Sequence, residues 1–570
     1  MKKIMSSRYW PLLLLAAIAA VNYLASVVHY RIDLTQEKRF TLSNPTRRLL
    51  EGLGDKVSVT VFLQGDLPAD FRKLKNGTEE LLQEFRESSH NGIQYTFKKP
   101  GDGLEEAEKQ ALLVYLDSIG IKPTNVRVQI KAGESQEERL VYPGALVSYK
   151  GKTIPIDLLQ GQDMAGGIQT LNTANALLEY KFASAIQKAT QESPPVIGYL
   201  VGNGEPLTYN VFDLIERTLK PNYGFGFVPI DSVPVIPLDF DAVIMVKPTI
   251  KFTDQQKLKL DQYVMHGGRL IWMIDNLYAE MDSLMRTQSD FIAFDRGLNI
   301  EDLLFKYGVR INADLVQDLQ CDKIPLAVGS FGDKPQIQLT PWQYFPLLSA
   351  YTDHPISKNL NSVLSIFPNS LDTVEAEGIR KTVLLASSDH SRTLNTPAIV
   401  SLNSVRTEDD IKTFNRRNIP VAVLLEGRFS SLYANRIGAE KADSLQRIYK
   451  QPFLPSAAME NKMVVIADAD IASNVVTQAD GPLTMGMNQF TKTQYANKDF
   501  LLNCIEYLVN PSGILSTRSK TFSLRLLDPG KIENEKTKWQ LINVAAPALL
   551  VVIMAFVLQA LRRKKFAPNK

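Results

Sequence analysis

Two uncharged apolar runs constrain this chain more than anything else in it. Trp10 to Val28 reads WPLLLLAAIAAVNYLASVV, and Trp539 to Leu561 reads WQLINVAAPALLVVIMAFVLQAL. At the helical rise per residue each run approaches the thickness of a bilayer core. Trp, Tyr or basic residues of the kind that anchor at the interface flank both. Two transmembrane helices, over 10–29 and 539–561, are therefore predicted to bracket the rest of the chain. A cleaved signal peptide is the competing reading of the first run, because Lys2 and Lys3 precede an apolar stretch. The run is long, however, and YLASVVHY is a poor cleavage site.

Orientation follows from the second run, where Arg562, Arg563, Lys564 and Lys565 cluster beyond the span and only scattered lysines precede it. The basic tail 562–570 is expected in the cytoplasm. Two spans then place the short tail 1–9 on the same side and the large middle region in the periplasm, at the inner membrane. The overall charge of +3 owes much to the two tails, so the exported part turns mildly acidic. Such a surface is a poor nucleic-acid partner, since phosphate binding needs a basic face.

At 570 residues the chain exceeds one hydrophobic core. Its apolar fraction of 45% and charged fraction of 22% describe folded protein. The two cysteines, Cys321 and Cys504, exclude a disulfide framework and a CxxC site. A single bridge between them is conceivable, and two unpaired structural thiols are the favoured reading.

After a juxtamembrane lead-in (30–54), where Thr41, Ser43 and Asn44 offer cap oxygens ahead of Pro45, alternating strands and helices predict a first exported α/β domain over 55–160. A helix and linker follow at 161–194. From 195 to 515 the pattern repeats with strands apolar on both faces, such as PVIGYLVG, FDAVIMVKP and RLIWMID. Such strands, separated by helices, imply a parallel sheet covered on both sides. The predicted fold is α/β, with tandem exported domains and a doubly wound central one carrying insertions. Residues 516–538 lead back to the membrane.

Several stretches resemble one known family. DLTQEKRFTLS (33–43), GYLVGNGEP, LDQYVMHGGRLIWMIDN (260–276), LLFKYGVRINADLVQD, VVIADADIASN and NKDFLLNCIEYLVN look, in this order and between two spans, like the GldG family. Its members are auxiliary, substrate-binding-like components of gliding-motility-associated ABC transporters of Bacteroidetes. The resemblance covers nearly the whole chain. It implies a membrane-anchored extracytoplasmic subunit partnered by a multi-span permease and a separate cytoplasmic ATPase. It also implies a central domain similar to the class I glutamine-amidotransferase-like fold, found also in intraflagellar transport proteins, without catalytic residues; no cofactor is expected. Capture of a solute or glycan in a cleft between the two domains is the alternative function.

Gly202-Asn203-Gly204-Glu205 follows an apolar strand, where nucleotide folds cradle phosphate. The dinucleotide fingerprint needs a third glycine where Leu207 stands, and a P-loop needs Gly-Lys-Ser/Thr where Pro206 and Leu207 stand. The favoured reading is a tight turn requiring positive φ, with Glu205 near the next helix N-terminus. A small polar ligand or partner contact at this sheet edge is the alternative, with Gly202, Asn203, Gly204 and Glu205 as its candidates.

No Gly-x-Cys-x-Gly or Gly-x-Ser-x-Gly elbow occurs, and the five histidines are scattered, so no enzyme is expected. His266 suits a helix C-terminus. Asp468 and Asp470, with Asp275 beyond another strand, are weak candidates for a divalent cation. Capping of the following turn is preferred for them. Arg562 to Lys565 can meet anionic lipid. Asn22 and Asn543 sit within the apolar runs and can hydrogen-bond across helices.

Overall fold

The computed structural model describes residues 41–129, 136–159, 168–281, 290–331, 334–402, 408–438, 452–519 and 529–566, with a few isolated positions besides. By contacts it divides into residues 1–521 and residues 522–570.

The first part opens with α1 (Asn44–Glu51), where the Ser43 hydroxyl accepts from the Thr46 N–H at 3.4 Å and Pro45 occupies the first turn. Strand β1 (Val57–Val61) buries alternate valines, Val57, Val59 and Val61. After α2 (Ala69–Ser88), β2 (Ile93–Phe97) returns parallel to β1. Helix α3 (Glu106–Ser118) and a separate hairpin of β3 (Thr124–Gln129) with β4 (Gln136–Val141) precede β5 (Gly144–Tyr149) and β6 (Lys152–Asp157). The sheet runs β2-β1-β5-β6, with β5 antiparallel to both of its neighbours.

Residues 161–194, expected as a helix and linker, carry α4 (Ile168–Thr190). Leu171, Ala174, Leu178, Phe182, Ala183 and Ile186 of α4 share one core with β1, β5 and α2. That helix is thus part of the first domain's packing. Its apolar face is broad enough to need a sheet beneath it.

The central sheet is built from β7 (Val196–Val201), β8 (Gly224–Pro229), β9 (Ala242–Val246) and β10 (Arg269–Met273), followed by β11 (Cys321–Phe331), β12 (Lys334–Ala350), β13 (Ile379–Ala386), β14 (Pro420–Gly427) and β15 (Asn461–Ile466). Its order is β11-β12-β13-β14-β15-β10-β9-β7-β8, with Val363–Leu364 added beside β12. From β8 to β15 the strands are parallel. Strands β14, β13, β12 and β11 continue it antiparallel.

The all-parallel expectation is therefore corrected for this half. A strand buried on both faces gives the same unbroken apolar run in either direction, so β14 could not be told from β15 by pattern. Strands β11 and β12 form a long hairpin within the central domain, where insertions were expected. Its outer strand β11 lies at the sheet edge, where a proline such as Pro325 and a lysine such as Lys323 suit a strand with a neighbour on one side alone.

Successive residues of the parallel strands feed opposite cores. Ile244, Ile271 and Met273 pack with Phe500, Leu501 and Ile505 of α7 (Asn497–Val509). Val243, Met245 and Trp272 pack on the other face with Leu260 and Val264 of α5 (Asp254–Met265) and Leu303 and Tyr307 of α6 (Glu301–Tyr307). This is the doubly covered layer expected of two-sided apolar strands. Thr253 starts α5 with a reciprocal capping box to Gln256, and His266 and Gly267 (φ +95°) end it.

The second unit holds α8 (Pro529–Phe566). Among the described residues this is the one helix long and apolar enough to cross a membrane, over Glu535–Arg563. Its side chains are exposed from Lys536 to Arg563. The first apolar run lies outside the described residues apart from isolated positions, one of which, Asn22, donates to the Ile18 carbonyl.

Candidate functional site

The carboxyl edge of the parallel strands gathers the residues singled out above, as open α/β sheets do. Strand β7 ends at Val201 and turns at Gly202 (φ +139°) and Gly204 (φ +81°). A Cβ on Gly202 would lie 2.8 Å from Ile230 Cγ2, and one on Gly204 would lie 2.1 Å from Thr249 Oγ1. Both positions demand glycine for conformation and for room.

The two consecutive N–H groups of this turn do bind an anion, and it is the chain's own. Glu205 Oε2 accepts from the Gly202 N–H at 3.0 Å and the Asn203 N–H at 2.8 Å. The carboxylate thus occupies the place a phosphate oxygen would take. Glu205 was expected at the start of the next helix. Helical structure begins only at Tyr209, and the side chain folds back into the loop instead. Burial raises the Glu205 pKa, against the lowering effect of these N–H donors.

Asn203 ties the turn to its neighbours. Its carbonyl accepts from the Thr249 and Ile250 N–H groups, each at 2.8 Å. Its amide donates to Gln256 Oε1 at 3.2 Å, and Gln256 in turn donates to Asp231 Oδ1 at 2.7 Å. Asn203 Oδ1 and Glu205 Oε1 are buried acceptors left without a protein donor.

Farther along the same edge stands a second cluster. Lys247, in left-handed backbone (φ +49°) after β9, places Nζ 2.7 Å from Asp470 Oδ1 and 3.2 Å from Asp275 Oδ2. Asp468 is fully buried. It accepts from the Ile366 N–H at 2.8 Å, from the Asp470 N–H at 2.8 Å and from the Ser365 hydroxyl. Asp275 accepts from the Ala469 N–H at 2.6 Å. Burial, followed by the charges of Asp275 and Asp470, pushes the Asp468 pKa well up. Burial does the same for Asp470 against the pull of Lys247. The lysine, held by two carboxylates, is pushed up in spite of its burial.

Asp468 thus caps the turn Ala469–Ile471, and Asp470 pairs with a lysine. Among the described residues no three His, Cys, Asp or Glu side chains converge to hold a metal ion. Lys247 was not singled out from sequence. Its signal was available, as a lysine closing an apolar strand at the edge where Asp275 and Asp468 also end strands.

Both cysteines are free thiols. Burial pushes Cys321 up to about 12 and raises Cys504, which sits in the core beside α7's apolar neighbours. Neither is poised as a thiolate nucleophile. His266 Nδ1 lies 2.8 Å from the Gln262 carbonyl at the end of α5.

A family profile described as "ABC-type uncharacterized transport system" matches residues 194–504, more than half the chain, and a domain of unknown function (DUF7088) matches 36–148. An uncharacterized protein of Borreliella burgdorferi is 19% identical over 420 residues, which is 72% of this chain and 75% of that one. Among solved structures, the mmIFT52 N-terminal domain superposes with a TM-score of 0.29 at 14% identity, over 55% of this chain and 97% of that domain. The exo-beta-1,4-mannosidase Op5Man5 from Opitutaceae bacterium strain TAV5 gives 0.17 at 10% identity, over 86% and 56%. Superpositions at these scores bear on neither fold nor function. The profile match runs from the strand before the Gly202 turn to α7 and takes in the whole central sheet, and on it the chain belongs to the ABC-transporter auxiliary family, the ABC-type uncharacterized transport system.

Proposed function

We propose that the protein is a non-enzymatic, membrane-anchored adaptor subunit of an ABC transporter. It is anchored by two spans, with both termini in the cytoplasm and the α/β region in the periplasm. Its partners are a multi-span permease and a cytoplasmic ATPase, and its setting is gliding motility or secretion, in keeping with the resemblance to the GldG family. The central domain is taken as a class I amidotransferase-like layer that has kept its sheet and lost its chemistry.

The observation that carries this reading is the exposed apolar length of α8 in a chain of the transport-auxiliary family. In an aqueous setting that surface has no cover, whereas a bilayer or a permease covers it. The loop at Gly202 supports the non-enzymatic part, because its anion position is filled by Glu205.

Topology gives the test. With Cys321 and Cys504 replaced, single cysteines at the exposed Met459 and beyond Arg563 are treated with a membrane-impermeant thiol reagent on cells with permeabilised outer membranes. Labelling at 459 alone is expected. Labelling at the C-terminal position in intact inner membranes contradicts the orientation.

A further inference from the structure

Between the first domain and the central one lies a cavity of about 120 Å³, walled by β6 and α4 on one side and by α7 and the segment at Asn359 on the other. The seam around it is well made. Gln187 and Asn510 exchange two amide hydrogen bonds, at 2.7 and 2.8 Å, and Asn359 donates to the Arg518 carbonyl at 2.8 Å.

Arg518 is the unusual group here. It is 5% exposed, and its guanidinium lies over the Tyr180 ring with 4.9 Å from Cζ to the centroid. Its Nε is buried without a hydrogen-bond partner. No ion pair to it is found among the described residues. Two other cations line the same cavity and hydrogen-bond within the protein: Lys181 donates to the Asp157 and Leu158 carbonyls at 3.0 and 2.8 Å, and Lys188 to Asn222 at 3.2 Å. A guanidinium Nε withdrawn from water without an acceptor is costly, and the planar fork of such a group matches an oxyanion edge to edge.

We infer that this cavity is a binding site for a small monocarboxylate, with the Arg518 guanidinium as its anchor. Size and charge set the class. At about 30 Å³ per water the cavity holds roughly four waters' volume, which suits a ligand of a few heavy atoms. Asp499 and Glu506 line the same space, so a second negative charge on the ligand meets repulsion. The site belongs to the seam, away from the Gly202 edge, and stands whether or not the adaptor reading does.

The test uses the full-length protein, purified in detergent and exchanged into chloride buffer. Acetate and propionate are titrated by calorimetry and by thermal shift, with chloride and sulfate at matched ionic strength. A saturable response to the monocarboxylates, absent with chloride and at least tenfold weaker with sulfate, is expected. Arg518→Gln is expected to weaken it at least tenfold. Glu506→Gln, which keeps the acceptor that Asn510 uses at 2.6 Å and removes a negative wall, is expected to tighten it several-fold. A response equal to that of chloride overturns the proposal, as does unchanged affinity in a folded Arg518→Gln protein. If Arg518→Gln does not fold, an unchanged or weaker Glu506→Gln affinity overturns it alone.

Discussion

At the scale of single residues, the Gly202 turn shows how a phosphate-loop look arises without a phosphate. Positive φ at Gly202 and Gly204 aims backbone N–H groups at one point, and Glu205 fills it. Gly204→Ala places a methyl against Thr249 in a backbone region L-residues avoid, and should cost about 1–3 kcal/mol by chemical denaturation. A loss below about 0.5 kcal/mol, the ordinary effect of a surface change, would contradict the strain assigned to it. Lys247→Met leaves Asp275 and Asp470 without their cation and should destabilise by about 3–5 kcal/mol. Acidity carries a sign. Carboxyls whose pKa is raised on folding bind protons more readily in the native state, so Glu205, Asp468 and Asp470 favour the fold increasingly as pH falls toward the ordinary carboxylate range. Asp468→Asn should therefore gain less stability than the parent protein between pH 7 and pH 5 in matched melts, and an identical pH dependence would remove Asp468 from that account.

At the scale of elements, α4 shows what packing adds to a pattern. The helix itself was legible, and its buried face places Phe182 in the first domain's core. Phe182→Ala should cost about 3–5 kcal/mol, measured by calorimetry on the full chain. A loss near zero would separate α4 from that core. The central strands were legible because two-sided burial leaves unbroken apolar runs, as in β9 and β10. Strand direction was not, since β14 and β15 carry the same kind of run and pair antiparallel. The loop glycines were legible for a local reason, a turn needing positive φ. Lys247 and Asp470, 223 positions apart, became neighbours only through the sheet order. Arg518 and Tyr180 met only through the fold, and no spacing in the chain announces such a pair.

At the scale of the whole molecule, a large α/β region that buries its apolar strands on both faces stands in one chain with a helix that buries almost nothing along its length. That contrast is what a bilayer or a membrane partner resolves. A chain cut after residue 521 should lose the α8 anchor and, with the first apolar run retained, should still resist alkaline extraction from membranes. Release of that truncated chain into the soluble fraction would leave α8 as its only attachment. The most direct measurement of the central claim is mild solubilisation of native membranes followed by capture of the intact chain through a tag in an exposed loop of the α/β region, with the retained proteins identified and quantified. Stoichiometric recovery of a multi-span permease together with an ATPase is the predicted result, and reproducible recovery of the chain alone would contradict it.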